Sequence, residues 1–236
     1  MIKLENYEVV GWEHAIRGMR NPMNSWGKSD SELHHGYVYR DECNERWESN
    51  GHLFEIGPND QDLMMKLRNA GTDHRKFMRM ITVYVDITAP LYWWKEFDTY
   101  KVGTVANSCS TMHKIHEKEF TFDDFSHEKL INSACMEIQE QHIRISPIQA
   151  LATTIECLNS YRDLYLQTKD KKYWWQMIQL LPSSYNQRRT IMMNYEVLAN
   201  MYKSRKDHKL DEWREFCKWI KELPYSELIT GKVEEE

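Results

Sequence analysis

The sequence lacks any long apolar run, and its charged residues leave a small negative balance. Its hydrophobic stretches are far shorter than the roughly 20 residues that a membrane-spanning helix needs. The formal net charge is −5 at pH 7, the wrong sign for a protein built mainly to hold polyanionic nucleic acid. Residues 1–13 carry charges every few positions and include no apolar signal region. We therefore expect a cytoplasmic protein that binds neither membranes nor nucleic acid.

Paired cysteines and the common catalytic signatures are also absent. The cysteines are odd in number and form no Cys-x-x-Cys pair, which is typical of free thiols in a reducing compartment. They are Cys43, Cys109, Cys135, Cys157 and Cys217. The sequence has no Gly-rich phosphate loop, no Ser nucleophile elbow and no His-x-Glu zinc signature. It therefore indicates none of these common chemistries.

One histidine pair has a spacing that metal sites use. His113 and His116 could share a helix face, with Glu117 and Glu119 nearby. However, 10 histidines scattered through 236 residues produce such pairs by chance. We therefore predict no metal site.

The chain has enough apolar and aromatic residues to bury a substantial core. It is 41% hydrophobic, with 9 Trp and 13 Tyr among 236 residues. No repeat, low-complexity linker or break in composition separates one part from another. We expect a single domain over residues 1–236 with an irregular N-terminal region, 1–57. The pairs Trp93-Trp94 and Trp174-Trp175 are interpreted as core and interface anchors.

The first half predicts short strands and two helices. Residues 7–10 and 36–39 have strand-like composition, and the alternation of apolar residues over 81–87 is typical of a half-buried strand. Asn59-Asp60 is expected to cap a helix that runs from Gln61 to Gly71. Pro90 is expected in the first turn of the next helix, where its missing N–H costs nothing.

The second half predicts helices at residues 147–167, 172–181, 187–204 and 210–223. The last of these has acidic residues early and lysines late, as the helix dipole prefers. Together the two halves predict an α+β fold with a small antiparallel or mixed sheet packed with helices.

The motif with most information runs from Ala89-Pro90 to Ser110-Thr111. Ala-Pro opens a helix, Thr99-Tyr100-Lys101 follows the helix, and a turn Asn107-x-x-Ser110-Thr111 comes next. This arrangement resembles the core signature of the flavin-dependent thymidylate synthases. The resemblance extends to Gly71-Thr72-Asp73-His74 before the strand, and to Pro182 followed twelve residues later by Asn194. It ends with Arg205, His208 and Trp213.

The resemblance implies a function and a set of site residues. The implied reaction transfers a one-carbon unit to C5 of deoxyuridylate or a related pyrimidine nucleotide, in nucleotide biosynthesis. FAD would be the cofactor, NADPH and methylenetetrahydrofolate the co-substrates, and a homotetramer would share its active sites. The implied catalytic residues are Arg205, which holds the pyrimidine ring in a polarised form, and Ser110. The implied FAD contacts are His74, Thr99, Tyr100, Lys101, Ser108, Asn194, Glu196 and Asn200. The implied substrate contacts are Glu96, Ser110, Thr111, Met112 and Arg205.

The chain departs from the family pattern where the family uses arginines. Thr99 and Lys101 occupy the two arginine positions of the family's basic triplet. Met112 and Ile178 replace two of its nucleotide-binding arginines. One lysine is a point charge, whereas two arginines grip a pyrophosphate bidentately. The alternative hypothesis is therefore a nucleotide-binding or scaffold protein that has lost flavin.

Several site residues also have a purely structural interpretation. Ser110-Thr111 can be a helix cap, and Lys101 a solvated charge at a helix end. Cys109 is either a nucleophile or a small buried filler.

Overall fold

The computed structural model describes residues 2–34, 53–133, 136–138 and 143–231. The strands are β1 Lys3–Val10, β2 Glu32–His34, β3 Leu53–Glu55, β4 Thr82–Pro90, β5 Thr104–Ser108, β6 Met136–Ile138, β7 Ile143–Ile145 and β8 Asn186–Asn194. The helices are α1 Trp12–Arg20, α2 Pro58–Asn69, α3 Leu91–Phe97, α4 Pro147–Thr168, α5 Lys171–Leu180, α6 Tyr195–Arg205, α7 Asp211–Glu222 and α8 Glu227–Thr230.

The largest sheet has four strands in the order β1-β4-β8-β5. Two small antiparallel ribbons accompany it: in β2–β3 Leu33 is opposite Phe54, and in β6–β7 Glu137 is opposite Arg144. A small sheet with many helices confirms the predicted α+β class. The strand predicted at residues 36–39 lies outside the described residues, as do Cys43 and Cys135.

The chain forms two compact units. The first consists of Met1–Glu5, Asp86–Thr99 and Ala106–Thr190, and the second of Asn6–Val85, Tyr100–Val105 and Ile191–Glu236. All four strands of the largest sheet contribute residues to both units. The single domain over residues 1–236 stays a prediction.

The core of the first unit lies around helices α4 and α5. Its buried cluster consists of Ile115, Phe120, Phe125, Leu151, Ile155, Leu158 and Met177. Asn159 ties a loop to α4, because its side chain accepts from the Phe120 N–H at 2.8 Å and donates to the Phe120 carbonyl at 2.9 Å. Trp93 and Trp94 are buried, which confirms their predicted place in a core. The interface role of the tryptophan pairs stays a prediction.

The core of the second unit includes a helix that the sequence interpretation missed. Residues 1–57 were expected to be irregular, yet α1 occupies 12–20. Its buried apolar side chains recur at intervals of three and four: Trp12, Ala15, Ile16 and Met19. That helical period was the available signal. The Trp12 ring packs edge-on against Tyr195 of α6, with centroids 5.2 Å apart.

The helices predicted at 147–167, 172–181 and 210–223 are confirmed within one residue, whereas β1 starts earlier than the predicted 7–10 and β4 ends later than the predicted 81–87. Three further details are wrong. Residues 186–194 form strand β8, so the predicted helix at 187–204 begins only at Tyr195. Helix α2 starts at Pro58 with Gly57 as its N-cap, while Asp60 is fully buried and paired with Arg20. Pro90 ends β4 and caps α3 in extended conformation, one residue before the first helical turn.

Candidate functional site

The second unit contains a cationic and aromatic cluster centred on Arg205. The Arg205 Nε atom donates to the Tyr100 hydroxyl at 2.9 Å, and Nη1 lies 3.0 Å from Nε2 of His208. The guanidinium carbon lies 4.8 Å from the centre of the buried Trp213 ring. A guanidinium held between aromatic faces keeps a fixed orientation and is partly shielded from water. We call Tyr100, Arg205, His208 and Trp213 the Arg205 cluster.

Local structure explains how this cluster forms. Arg205 is the last residue of α6, and Trp213 lies in the first turns of α7, so one short turn brings both to the same place. Tyr100 arrives from the segment 100–105, which passes close to the start of α6. Gly103 makes this approach possible: its φ is +83°, and a Cβ there would lie 2.8 Å from Nδ2 of Asn194. His208 and Trp213, with which the sequence resemblance ends, thus both contact Arg205.

A second group of the same unit is built around Glu196. Its carboxylate accepts from Nε of Arg75 at 3.2 Å and from Nε of Arg79. Arg75 also donates to the side-chain oxygen of Asn200 at 3.3 Å. Burial alone would raise the pKa of Glu196, but the hydrogen bonds from Arg79 and Arg75 lower it below its ordinary value. Glu196 is therefore an ionised carboxylate neutralised by two arginines.

Sequence interpretation missed Arg75 and Arg79. It assigned His74, which is exposed and gives no side-chain cap to the 3-10 helix Arg75–Arg79. The available signal was a pair of arginines four residues apart directly after the Gly71 turn. The residue types alone did not show that both arginines bind the carboxylate of Glu196, which lies more than 100 positions later in the sequence.

Asn194 has a structural role in this unit. Its side-chain oxygen accepts from the Val197 N–H at 3.0 Å and caps α6. Asn194 is also the last residue of β8, so it does not lie on the helix that carries Arg205. Lys101 is exposed, and within the described ranges no acidic side chain forms an ion pair with it.

In the first unit, Ser110 caps a turn, whereas the structural interpretation predicted a helix cap and no helix follows it in this part of the described chain. Its hydroxyl accepts from the N–H groups of Met112 at 3.2 Å and His113 at 2.9 Å, so it caps a turn. The Met112 carbonyl accepts from the Trp174 indole at 3.0 Å. Thr111 is half-buried and Met112 is exposed.

The remaining predicted residues of the first unit lie at the end of α3 and on β5. The Thr99 hydroxyl donates to the Glu96 carbonyl at 2.7 Å, and Ser108 is exposed at the end of β5. Cys109 is an exposed free thiol, so its interpretation as a buried filler is wrong. Its backbone N–H donates to the Arg188 carbonyl at 2.9 Å and thereby continues the pairing of β5 with β8.

The described part of the chain contains neither a metal-ligand cluster nor a helix that could span a membrane. Among these residues, no three or more His, Cys, Asp or Glu side chains are grouped as a metal site requires. The His116 ring packs edge-on against Tyr165, with centroids 4.9 Å apart. None of the described helices combines the length and apolar character needed to cross a membrane.

The residues assigned to flavin do not match the demands of a pyrophosphate. Two negative charges need bidentate, charge-assisted donors. Thr99 and Asn194 use their side-chain oxygens within the chain, and Glu196 adds a negative charge that occupies Arg75 and Arg79. Among the described residues, those assigned to flavin therefore do not form the two-arginine grip that would hold the FAD pyrophosphate.

Comparison with solved structures identifies the fold. No family model matches the sequence, and comparison with characterised proteins gives no match. Among solved structures, the flavin-dependent thymidylate synthase ThyX of Helicobacter pylori, complexed with FAD and dUMP, is similar over 98% of both chains. The sequence identity is 15% and the TM-score 0.63. The UMP/dUMP methylase PolB of Streptomyces cacaoi, bound with 5-Br dUMP, is similar over 98% of this chain and 95% of its own, with 13% identity and a TM-score of 0.56. The chain thus has the fold of the flavin-dependent thymidylate synthases.

Proposed function

We propose that this protein is an enzyme that binds a pyrimidine nucleotide and transfers a one-carbon unit to C5 of its ring. The observation that carries the proposal is the Arg205 cluster, at the one family arginine that the sequence retains. The structural neighbours support the substrate class, since one is bound to dUMP and another to 5-Br dUMP. Arg205 is the proposed catalytic residue, and Tyr100 and His208 are proposed to position it.

The physical reasoning concerns charge on the pyrimidine ring. Reaction at C5 requires electron density to move through the ring, so negative charge develops on a carbonyl oxygen attached to the ring. A guanidinium whose orientation is fixed in advance stabilises such charge without reorganising. The rings of Tyr100 and Trp213 limit water around it, which strengthens the electrostatic interaction. This chain thereby supplies orientation and electrostatics.

Other parts of the function remain proposals. Glu96, Ser110, Thr111 and Met112 are proposed nucleotide contacts, and methylenetetrahydrofolate and NADPH are the proposed one-carbon donor and reductant. A homotetramer with shared active sites and a cytoplasmic location complete the proposal. Sedimentation velocity of the purified chain tests the tetramer, and a monomer across the accessible concentrations would contradict it.

The first experiment measures nucleotide binding by calorimetry. We expect wild type to bind dUMP and Arg205→Lys to bind it at least about tenfold more weakly, because a hydrogen bond to a charged group contributes about 1.5–3 kcal/mol and 1.4 kcal/mol is tenfold. Tyr100→Phe, which removes the hydroxyl that holds Nε, should weaken binding by a smaller factor. Arg17→Lys is the matched control, because Arg17 is an exposed arginine of α1 in the same unit. Equal affinities of Arg205→Lys and wild type would overturn the assignment.

A second candidate function is nucleotide binding without turnover. The carboxylate of Glu196 and the missing arginines favour it, because both weaken the grip on a pyrophosphate. Two measurements separate the candidates: the visible spectrum after FAD is added and excess removed, and release of the C5 hydrogen from dUMP in the presence of methylenetetrahydrofolate, NADPH and FAD. Hydrogen release above the Arg205→Lys background supports the enzyme. A colourless protein that binds dUMP without hydrogen release supports the second candidate.

A further inference from the structure

A chain of side-chain hydrogen bonds in the first unit leads from the end of α3 to the turn that carries Ser110. Nη1 of Arg189 donates to the Asp98 carboxylate at 2.7 Å, and Nε of Arg189 donates to Oε1 of Gln187 at 3.0 Å. Nε2 of Gln187, whose side chain is buried, donates to the Cys109 carbonyl at 2.8 Å. The side chain of Gln187 therefore holds the peptide bond that joins Cys109 to Ser110.

The residue types fix the direction of this chain. A guanidinium only donates and a backbone carbonyl only accepts, whereas an amide side chain accepts at one end and donates at the other. Because Arg189 binds Oε1 of Gln187, the NH2 group of this amide must face Cys109. Arg189 is itself restrained, since its guanidinium carbon lies 4.1 Å from the centre of the Trp94 ring and its side chain is only 14% exposed. The amide of Gln187 thus has a single satisfied orientation.

The turn held in this way presents a hydrogen-bond donor to solvent. The Ser110 hydroxyl accepts from the N–H groups of Met112 and His113, which fixes the position of its oxygen. The indole of Trp174 holds the other end of the turn at the Met112 carbonyl. Ser110 is exposed, and among the described residues no acceptor takes the proton of its hydroxyl. This O–H group can therefore donate to an oxygen atom of a ligand.

We propose that Gln187 is a positioning residue for the nucleotide that acts through Ser110, and that Arg189 sets the orientation of its amide. The inference rests on the proposed function, in which Ser110 contacts the nucleotide. Its physical basis is preorganisation, because a donor that is ordered before the ligand arrives loses less conformational freedom on binding. The serine side chain is short, so a shift of the peptide bond before it moves the hydroxyl by a similar distance.

Calorimetric titration with dUMP tests the positioning role. Gln187→Glu keeps the size and shape of the side chain but turns a second oxygen toward the Cys109 carbonyl. We expect this variant to bind dUMP about two- to tenfold more weakly, the range that corresponds to one hydrogen bond. The matched control is Gln176→Glu, which adds the same charge in the same unit. Gln176 is exposed on α5, and its Nε2 also donates to a backbone carbonyl, that of Lys172. The control should bind dUMP as wild type does.

A double-mutant cycle distinguishes positioning from a purely structural role. If Gln187 acts through Ser110, the double variant Ser110→Ala/Gln187→Glu should bind dUMP as Ser110→Ala does, whereas independent losses would multiply. Arg189→Met is a second variant, which leaves Gln187 in place and removes the donor that orients its amide. Its loss of affinity should also disappear when Ser110 is alanine. Thermal unfolding is measured for each variant, and Arg189→Met decides the test where Gln187→Glu unfolds below the titration temperature.

The outcomes separate this inference from the proposed function. Wild-type affinity in Gln187→Glu and Arg189→Met, or losses that multiply with that of Ser110→Ala, would overturn the positioning role. Loss of binding in Arg205→Lys would still support the proposed function in that case. Equal losses in Gln187→Glu and Gln176→Glu would show a general effect of charge and would also refute the positioning role. Failure of wild type to bind dUMP would overturn the proposed function, and this role with it.

Discussion

Replacement of Asp60 by Asn should be among the most destabilising conservative changes in the second unit. The Asp60 carboxylate is fully buried and accepts from Nε of Arg20 at 2.6 Å. It also accepts from the hydroxyls of Ser29 at 2.6 Å and Ser31 at 2.7 Å, and from the N–H groups of Asp30 at 3.1 Å and Ser31 at 3.2 Å. All its neighbours are donors, so only an ionised carboxylate satisfies them together.

The expected loss of stability follows from the buried charge of Arg20, which Asp60→Asn leaves without its carboxylate. An amide turns an NH2 group toward these donors and removes the charge that neutralises Arg20, whose side chain is 5% exposed. Removal of one partner of a buried ion pair costs about 3–5 kcal/mol. We expect the free energy of unfolding of Asp60→Asn to fall by about this amount.

Urea unfolding followed by circular dichroism measures the change, with Asp62→Asn as the control. Asp62 lies two residues further along α2, and its side chain is 79% exposed. Its Oδ2 atom lies 3.7 Å from Nζ of Lys66. Exposed pairs of this kind contribute about 0.2–1 kcal/mol. If Asp60→Asn and Asp62→Asn lost similar, small amounts of stability, the buried network would not hold these segments together and the reasoning would be wrong.

Two further predictions concern pH and a helix cap. Burial alone would raise the pKa of Asp60, but hydrogen bonds from Ser29, Ser31 and Arg20 lower it below its ordinary value. Its contribution to stability is therefore complete above the unfolded pKa of about 4 and is lost as pH falls through the lower folded pKa; a wild-type urea series at acid pH should show this loss, and Asp60→Asn should lack it. Asn194→Ala should cost about 1 kcal/mol through loss of the cap, whereas Asn194→Asp should cost only a few tenths. Equal losses in the two Asn194 variants, measured by urea unfolding, would contradict the capping role.

Local sequence patterns predicted most of the secondary-structure elements of this chain. The apolar alternation from Ile81 to Ile87 predicted β4, and the Pro at 147 marked the start of α4, because both depend on neighbouring residues. Residues 187–193 show no such alternation in the sequence, because four polar residues are followed by three apolar ones; the alternate burial of Gln187, Ile191 and Met193 belongs to the folded strand. The helix predicted at 187–204 was therefore wrong in its first part, because β8 pairs with β4 and β5 in the sheet and such pairing is not encoded in local sequence.

The sequence by itself determined the α+β class, the Ala-Pro to Ser-Thr motif and the retention of Arg205. Only the tertiary structure decided what each candidate residue contacts. It joined Arg205 to Tyr100 across 105 positions, set two arginines against Glu196, and used Asn194 and Ser110 as caps. It also linked Arg189 to the Cys109 carbonyl through Gln187. The physical reason is that charge and hydrogen-bond partners depend on which distant elements pack together, and residue spacing along one element does not encode that pairing.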